Sequence, residues 1–465
     1  MKPAPNPQLY QGPQSAMNNA QGHATPGTTR WHRLPASFRA GALLSLGFII
    51  EGLVVKSFYF LNNNPIVAHY AVSSMISMIA LAILFFSVGM RFVSGVELLL
   101  FISAVLLSVV SSIVSGKAQN MVATATFALS VLMSYFAVPR LLEAADVDLV
   151  KFLRLVFGVI TAGSAILLVV MPSIVWDTDN GRFNGMMISV AVACNIFFIA
   201  SVLFGDHLRS LQSLKWRLYT AAQLCLAIGL LFLTYTRSFL LEAVAMLLIF
   251  MITTKAGKIK LGSVVNGLSL LSLIVFAGLL YATIWGVDVD QLLVSFRLAD
   301  GGSAADSRMG NWLFALDRIY ENPWFGEGML TKHSLGDSGI AGDVADATYY
   351  VMNDPHSLPL SLAVEAGIPF AIAMMGFLIF VLLRHLRQFG IAKSIGSVEF
   401  MICALIFIGM IPGGGDLTSM GNAIDRIFWI LLGCLALRSN RAAMNGSKAS
   451  GPHPRATLHP RFRRQ

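Results

Sequence analysis

The stretch Asn353-Asp354-Pro355-His356-Ser357-Leu358-Pro359-Leu360 marks the point where the longest polar interval of the chain gives way to an apolar run. The polar interval begins near residue 286, and the sequence on both sides of it is a series of apolar segments. A helix needs about 20 apolar residues to cross a bilayer. The stretch therefore predicts a long loop outside the hydrocarbon core that leads directly into a membrane helix.

The composition indicates an all-α polytopic membrane protein. The chain has 465 residues, of which 56% are hydrophobic and 12% charged, and its mean hydropathy is +0.70. Soluble domains carry about 25% charged residues. The four cysteines all lie in apolar segments without a C-x-x-C pair, so the sequence favours neither a disulfide framework nor a zinc site.

The apolar segments predict about twelve transmembrane helices in one integral-membrane domain, 38–437. A disordered tail, 1–37, precedes this domain, and a basic disordered tail, 438–465, follows it. One large loop, about 286–355, carries an interfacial amphipathic helix. The predicted spans lie at about 41–61, 66–88, 92–115, 121–139, 152–171, 185–204, 216–235, 238–253, 261–285, 356–383, 396–412 and 421–437.

The distribution of charge sets the orientation. The net charge is +9, but residues 1–40 and 438–465 together contain eleven basic residues and no acids, so the rest of the chain sums to −2. Basic tails beside membrane spans are typical of a cytoplasmic membrane face, and their position excludes nucleic acid as a partner. If both termini are cytoplasmic, the cytoplasmic connectors hold thirteen basic residues, whereas the outer connectors and their edges hold five. Loop 286–355 is then periplasmic, and it contains eleven acidic residues.

Three outer segments each contribute an arginine. Arg182 follows the turn Asp177-Thr178-Asp179-Asn180-Gly181, Arg237 lies in the tight turn 234–238, and Arg308 lies in the long loop. A planar guanidinium binds phosphate oxygens with two hydrogen bonds, so three arginines on one face are suited to a diphosphate. Structural alternatives remain: Arg237 could pair with Glu242, and Arg308 could be a snorkelling interfacial residue.

Residues 306–320 predict the amphipathic helix. Asp306 or Ser307 can cap it, its apolar residues recur at spacings of three and four, and Asn322-Pro323 ends it. The predicted apolar stripe contains Met309, Trp312, Leu313, Leu316 and Ile319 or Tyr320. A helix of this kind is expected to lie along the outer membrane interface, with the stripe toward lipid or the bundle.

His356 is the candidate general base. Asp354 can cap the following helix and Pro355 suits its first position, which places His356 on the first turn. The positive end of the helix dipole lowers a histidine pKa, and a neutral imidazole accepts a proton near pH 7. The structural alternative is an interfacial histidine bonded to a loop carbonyl.

Asp177 and Asp179 form a D-x-D pattern, which is a possible metal site. However, Asp-Asn-Gly is an ordinary turn sequence, and two carboxylates are few ligands for a metal. No metal site is therefore predicted.

Four motifs resemble those of the O-antigen ligase and O-antigen polymerase family of bacterial envelope enzymes. In order they are Gly181–Gly185, Thr236–Ser238, Ser307-Arg308 through Asn322–Gly328, and His356-Ser357 with Glu365–Ile368. The family reads approximately S-R, then N-P-[large]-G-x-G, then H-N and E-x-G-[ILV]. The sequence departs from this pattern at Ser357, where asparagine is common, which leaves open any contact of that amide with the acceptor.

The resemblance implies a metal-independent, inverting glycosyltransferase without cofactors in the bacterial inner membrane. Its donor would be a glycan on undecaprenyl diphosphate, held by Arg182, Arg237 and Arg308, and His356 would deprotonate the acceptor hydroxyl. The acceptor would be lipid A-core in a ligase, another lipid-linked repeat in an O-antigen or exopolysaccharide polymerase, or a protein hydroxyl. Membrane lipids, chain-length regulators and export proteins are further partners that the resemblance implies.

Two other classes of function remain open at this point. In-span acids such as Glu51, Glu97 and Asp425 could form a proton relay in a multi-pass transporter or flippase of lipid-linked glycans. Pairs such as Glu51 with Lys56 could instead be structural. An assembly component without chemistry is the third class.

Overall fold

We describe the protein from a computed structural model. The residues that it describes are 35–62, 67–88, 94–177, 182–211, 213–234, 237–252, 303–329, 355, 357–413, 417 and 423–449. The predicted span 261–285, most of the predicted tails, much of the long loop, and His356 lie outside these ranges.

The described chain is almost entirely helical. Its helices are α1 Ala36–Ser57, α2 Val67–Val88, α3 Gly95–Val114, α4 Ala118–Val131, α5 Val138–Ala144, α6 Leu149–Val170, α7 Val190–Ser210, α8 Leu214–Leu233, α9 Arg237–Ile252, α10 Ser303–Glu321, α11 Leu358–Phe389, α12 Val398–Gly413 and α13 Ala423–Ala449. A π-helical segment, Leu132–Ala137, joins α4 to α5, and β1 Trp176–Asp177 pairs with β2 Arg182–Phe183. Short helical turns occur at Tyr59–Asn62, Pro172–Ile174 and Ile391–Gly396.

Seven helices in the described ranges are long and apolar enough to cross a membrane. They lie at Ala36–Val54, Gly95–Val114, Asn120–Ala144, Leu149–Val170, Val190–Ser210, Leu214–Leu233 and Leu358–Phe389. Shorter apolar helices lie at Ile76–Phe86 and Val398–Ile411. The all-α polytopic fold is therefore confirmed, whereas the total of twelve spans stays a prediction.

Polar side chains fix the starts of two spans. The Asp148 carboxylate accepts a hydrogen bond from the Lys151 N–H at 3.0 Å before α6, and Ser189 accepts one from Val192 before α7. Such caps satisfy N–H groups that the first helical turn leaves free. Burial alone would raise the pKa of Asp148, but the bonds from Lys151 outweigh it and the pKa lies below its usual value.

The last helix differs from the prediction. The predicted span ends at 437 and a disordered tail begins at 438, but α13 continues to Ala449, and Ser439 and Asn440 are buried. This part of the tail is ordered because Arg438 binds Glu399 of α12 at 2.5 Å. The tail prediction is wrong for residues 438–449.

Helix α13 lies at the centre of the bundle and contacts α1, α5, α11, α12 and the π-helical segment.

One of these contacts is near the end of the π-helical segment. Pro139 has no N–H group to donate to the Tyr135 carbonyl, and just before it the Val138 N–H donates a π-helical hydrogen bond to the Met133 carbonyl. Gly433 of α13 packs against the Tyr135 carbonyl. The absence of a side chain at Gly433 therefore allows the two backbones to approach closely.

We expect Gly433→Ala to destabilise the protein. A Cβ there would overlap the Tyr135 carbonyl oxygen and lie 2.8 Å from Pro139 Cγ, so the helices must separate. Overpacking of this kind costs about 1–3 kcal/mol and should lower the thermal midpoint in detergent by roughly 2–10 °C. Gly376→Ala is the matched control, because a Cβ there meets nothing within 4 Å. An unchanged midpoint for Gly433→Ala would contradict this packing.

Candidate active site

Arg182 lies on a small hairpin at the predicted outer end of the bundle. Asp177 and Arg182 are register partners, and the N–H groups of Asn184 and Gly185 both donate to the Val175 carbonyl, at 2.8 and 3.2 Å. The hairpin is held by Phe183, which is fully buried and stacks on Phe197 with ring centroids 6.0 Å apart. Arg182 itself is half-buried.

This hairpin is attached to the helices around it. The Tyr59 N–H donates to the Met186 carbonyl at 3.0 Å, and the Ile188 N–H donates to the Ser57 carbonyl at 2.7 Å. Strand β2 contacts α7 and α8. Because α8 ends at Leu233, shortly before Arg237, the fold brings the segments that carry Arg182 and Arg237 to the same region.

Arg237 is the first residue of α9. A cation at a helix N-terminus opposes the helix dipole, whereas an anion there is favoured. The predicted alternative partner, Glu242, lies against α12: a Cβ on Gly409 would meet its carboxylate. The Arg237 side chain, and therefore the Arg237–Glu242 pair, lies outside what the structure describes.

Arg308 lies on α10, which confirms the helix predicted near 306–320. The helix begins at Ser303, so Asp306 and Ser307 are inside it and the predicted cap is wrong. Part of the predicted stripe is buried against the bundle and part is exposed. Ala315 and Ile319 are buried and α10 packs on α11, whereas Leu313, Leu316 and Tyr320 of the stripe are exposed. The interfacial position of the helix stays a prediction.

The start of α11 is later than predicted. Ser357 occupies the N-cap and Pro359 the first turn, so the predicted cap at Asp354 and start at Pro355 are wrong. Proline suits the first turn because the N–H that it lacks has no intrahelical partner there. Ser357 is buried, and its carbonyl accepts a hydrogen bond from the Ser361 hydroxyl at 2.9 Å. His356 itself lies outside the described residues.

Helix α11 is broken in the middle of its apolar run. Ala366 (φ −134°, ψ 17°) and Gly367 (φ 87°, ψ 167°) leave helical geometry, and Pro369 follows. A break at membrane depth frees backbone N–H and C=O groups that need other partners. The turn Asn322–Gly328, which we call the docking turn, supplies them.

Three backbone hydrogen bonds join the docking turn to the break. The N–H groups of Glu327 and Gly328 donate to the carbonyls of Val364 and Glu365, at 2.9 and 2.8 Å. In return the Ile368 N–H donates to the Pro323 carbonyl at 2.9 Å. The motifs N-P-W-F-G-E-G and E-A-G-I therefore pair with each other.

Glycines make this approach possible. A Cβ on Gly326 would lie 2.6 Å from the Val364 carbonyl oxygen, and one on Gly367 would overlap the Trp324 carbonyl. Both glycines also have positive φ, at 62° and 87°. Any side chain at either position would separate the two backbones.

Polar residues of the α3–α4 hairpin lie behind the break. The Ser111 hydroxyl donates to the Glu365 carbonyl at 3.3 Å, and the Asn120 side chain packs against Gly328. Ser112 and Thr124 bond to each other at 2.7 Å between the two helices. These residues were not predicted from the sequence. The available signal was the presence of polar residues inside apolar spans.

Helix α12 connects the part of the candidate site around Arg182 and Arg237 to the part formed by α10 and α11. This helix contacts α11, α7 and α9. The fold thus joins the hairpin of Arg182 and the start of α9 to the unit formed by α10 and α11.

A comparison with protein-family models now identifies this region. Residues 221–375 match the model of the O-antigen ligase family. The match covers one third of the chain, and over this segment the chain is similar to that family. The resemblance inferred from the motifs is confirmed over this segment, and the seven long apolar helices indicate a multi-pass membrane protein. A search of curated proteins found no match.

The matched segment includes Arg237, Arg308 and His356, as well as the docking turn and the break in α11. Arg182 precedes it. The pairing of the docking turn with the break therefore lies within the segment that is similar to the O-antigen ligase family.

Several acids inside apolar helices form ion pairs with arginines. The pairs are Glu51–Arg426 at 2.5 Å, Glu97–Arg384 at 2.7 Å and Glu399–Arg438 at 2.5 Å. Glu51 thus pairs with Arg426 of α13. The side chain of Lys56, and therefore the predicted pair Glu51–Lys56, lies outside what the structure describes. Arg426 also donates to the Phe48 carbonyl at 3.1 Å, so this pair fastens α1 to α13.

Proposed function

We propose that the protein is an inverting, metal-independent glycosyltransferase on the periplasmic face of the bacterial inner membrane, with both termini in the cytoplasm. It transfers a glycan from undecaprenyl diphosphate to an acceptor hydroxyl. The acceptor is lipid A-core or another lipid-linked repeat, and chain-length regulators or export proteins are candidate partners.

One observation carries this proposal. Within the matched segment, the docking turn joins the helix of Arg308 to α11, whose N-cap Ser357 follows His356 in the sequence. The helix that carries a residue suited to binding phosphate thus packs on the helix that follows a residue suited to accepting a proton. This arrangement supports a reaction in which a diphosphate leaves while a hydroxyl attacks.

In the proposed step, His356 takes the proton of the acceptor hydroxyl as its oxygen attacks C1 of the donor sugar from the face opposite the diphosphate. The new C1–O bond forms while the C1–O bond to phosphate breaks, which inverts C1. The leaving undecaprenyl diphosphate keeps the bonding electron pair. Arg182, Arg237 and Arg308 stabilise the negative charge that develops on it, and the bound geometry supplies the proximity.

The ion pairs of the bundle bear on the transporter alternative. A proton relay needs acids that can exchange protons near mid-membrane. Glu51, Glu97 and Glu399 instead have arginine partners within hydrogen-bond distance, as structural groups do. These pairs favour the enzyme over the transporter.

The test is a gene deletion complemented with wild type or His356→Ala, with lipopolysaccharide and secreted polysaccharide measured together. Bare lipid A-core with full-length chains left on the carrier indicates a ligase. Core bearing one repeat, or loss of secreted polymer alone, indicates a polymerase. Full complementation by His356→Ala contradicts the proposal and favours the transporter.

We also expect chelators to leave the transfer rate unchanged, because arginines supply the charge that a cation would otherwise supply. The measurement is transfer by purified protein before and after EDTA treatment and dialysis. Loss of activity that Mg²⁺ or Mn²⁺ restores would contradict metal independence and redirect attention to Asp177 and Asp179.

A further inference from the structure

We propose that the docking turn and the ion pair Arg318–Glu327 position α10, and with it Arg308, relative to the start of α11. The inference rests on the proposed function. It gives Arg318 and Glu327 the role of positioning residues that do not touch the substrate.

The ion pair connects the last turns of α10 to the docking turn. Arg318 binds the Glu327 carboxylate through Nε and Nη2. Both side chains are more than four-fifths buried, at 17% and 18% exposure. Two-point binding by a guanidinium fixes orientation as well as distance. The bond from the Asn322 N–H to the Arg318 carbonyl, at 3.1 Å, continues the backbone from the helix into the turn.

Glu327 is also joined to α11 by its own backbone. Its N–H donates to the Val364 carbonyl at 2.9 Å while its carboxylate binds Arg318. One residue therefore contacts both helices, and the helix of Arg308 cannot tilt on α11 without breaking one of these bonds. The family pattern has any residue between the two glycines, so this ion pair belongs to the present chain.

A small tilt of α10 is enough to displace Arg308 appreciably. Arg308 is ten residues from Arg318, which is about 15 Å along a helix, so a tilt of roughly 5° displaces it by about 1 Å. A displacement of that size at a reacting centre can cost roughly 100-fold in rate. The ion pair should therefore act on the rate more than on donor binding.

The experiment compares Glu327→Gln with the reversed pair Arg318→Glu/Glu327→Arg. Glu327→Gln is expected to lower kcat roughly 10- to 100-fold with a much smaller change in the donor KM. The reversed pair is expected to recover most of the rate. Asp317→Asn is the matched control, since Asp317 is an exposed acid on the same helix; it should retain the wild-type rate.

A second readout does not depend on the reaction. Spin labels at Leu313 of α10 and Leu383 of α11, both exposed, report the distance between the helices in protein whose four cysteines have been replaced. Glu327→Gln should broaden the distance distribution and the reversed pair should narrow it again.

The outcomes separate this inference from the proposed function. A broadened distance with an unchanged rate overturns the positioning role, as does a lost rate with an unchanged distance. If both stay unchanged, the ion pair does not hold α10. If instead His356→Ala transfers glycan normally, the proposed function fails, whatever the spin labels report.

Discussion

His356→Ala is expected to lower glycan transfer by at least about 100-fold while the protein remains in the membrane at wild-type abundance. General-base catalysis contributes about 10²- to 10⁴-fold, and alanine has no group that accepts a proton. The measurement is the initial rate of transfer by purified protein, with lipid-linked donor and acceptor at fixed concentrations. Donor KM should change little, because the imidazole acts on the acceptor.

His333→Ala is the control, because His333 belongs to the same predicted loop but to none of the motifs. It should keep the wild-type rate. Ser357→Asn restores the residue that is common in the family and should be tolerated, since it leaves the base in place. If His356→Ala and His333→Ala have equal rates, His356 is not the base.

Hydropathy predicted the class of fold because a membrane span is a local property of the sequence. Each described span coincides with an apolar run that can be read directly. Helix ends were predicted less well. The end of α13 depends on the contact of Arg438 with Glu399, which lies 39 residues away, and no local pattern indicates such a partner.

The ion pair of Glu51 illustrates the same limit. Lys56 is a nearby basic residue in sequence and was a candidate partner, whereas Arg426, which binds Glu51 in the structure, was not proposed for it. The two residues are 375 positions apart. Pairing across the bundle is determined by which helices pack together, and this sequence contains no repeat from which that could be deduced.

The sequence contains a signal for the break in α11 from which no kink was predicted. Gly367 and Pro369 within an apolar run are residues that commonly kink a helix. In the sequence, Gly367 was considered only as part of the motif Glu365–Ile368. What the sequence could not provide is the partner: the docking turn lies some forty residues earlier, and its fit depends on close contact between two backbones.

Arg308→Lys is expected to lower kcat by about 100-fold although the charge is retained. The ammonium of lysine is a point charge, whereas a guanidinium presents parallel N–H groups to two phosphate oxygens. Removing one preorganised donor to developing charge costs about 10²- to 10³-fold in other enzymes. Arg297→Lys, in the same predicted loop but outside the motifs, is the matched control and should keep the wild-type rate.

The ratio of kcat to donor KM distinguishes two roles for Arg308. If it stabilises the leaving diphosphate, kcat falls and the donor KM changes little, because lysine still attracts the ground-state diphosphate. If it only recruits the donor, KM rises and kcat is retained. A variant with more than half of the wild-type kcat/KM would mean that Arg308 is an interfacial residue of α10. The diphosphate would then have to be held without α10, and the docking turn would have no catalytic arginine to position.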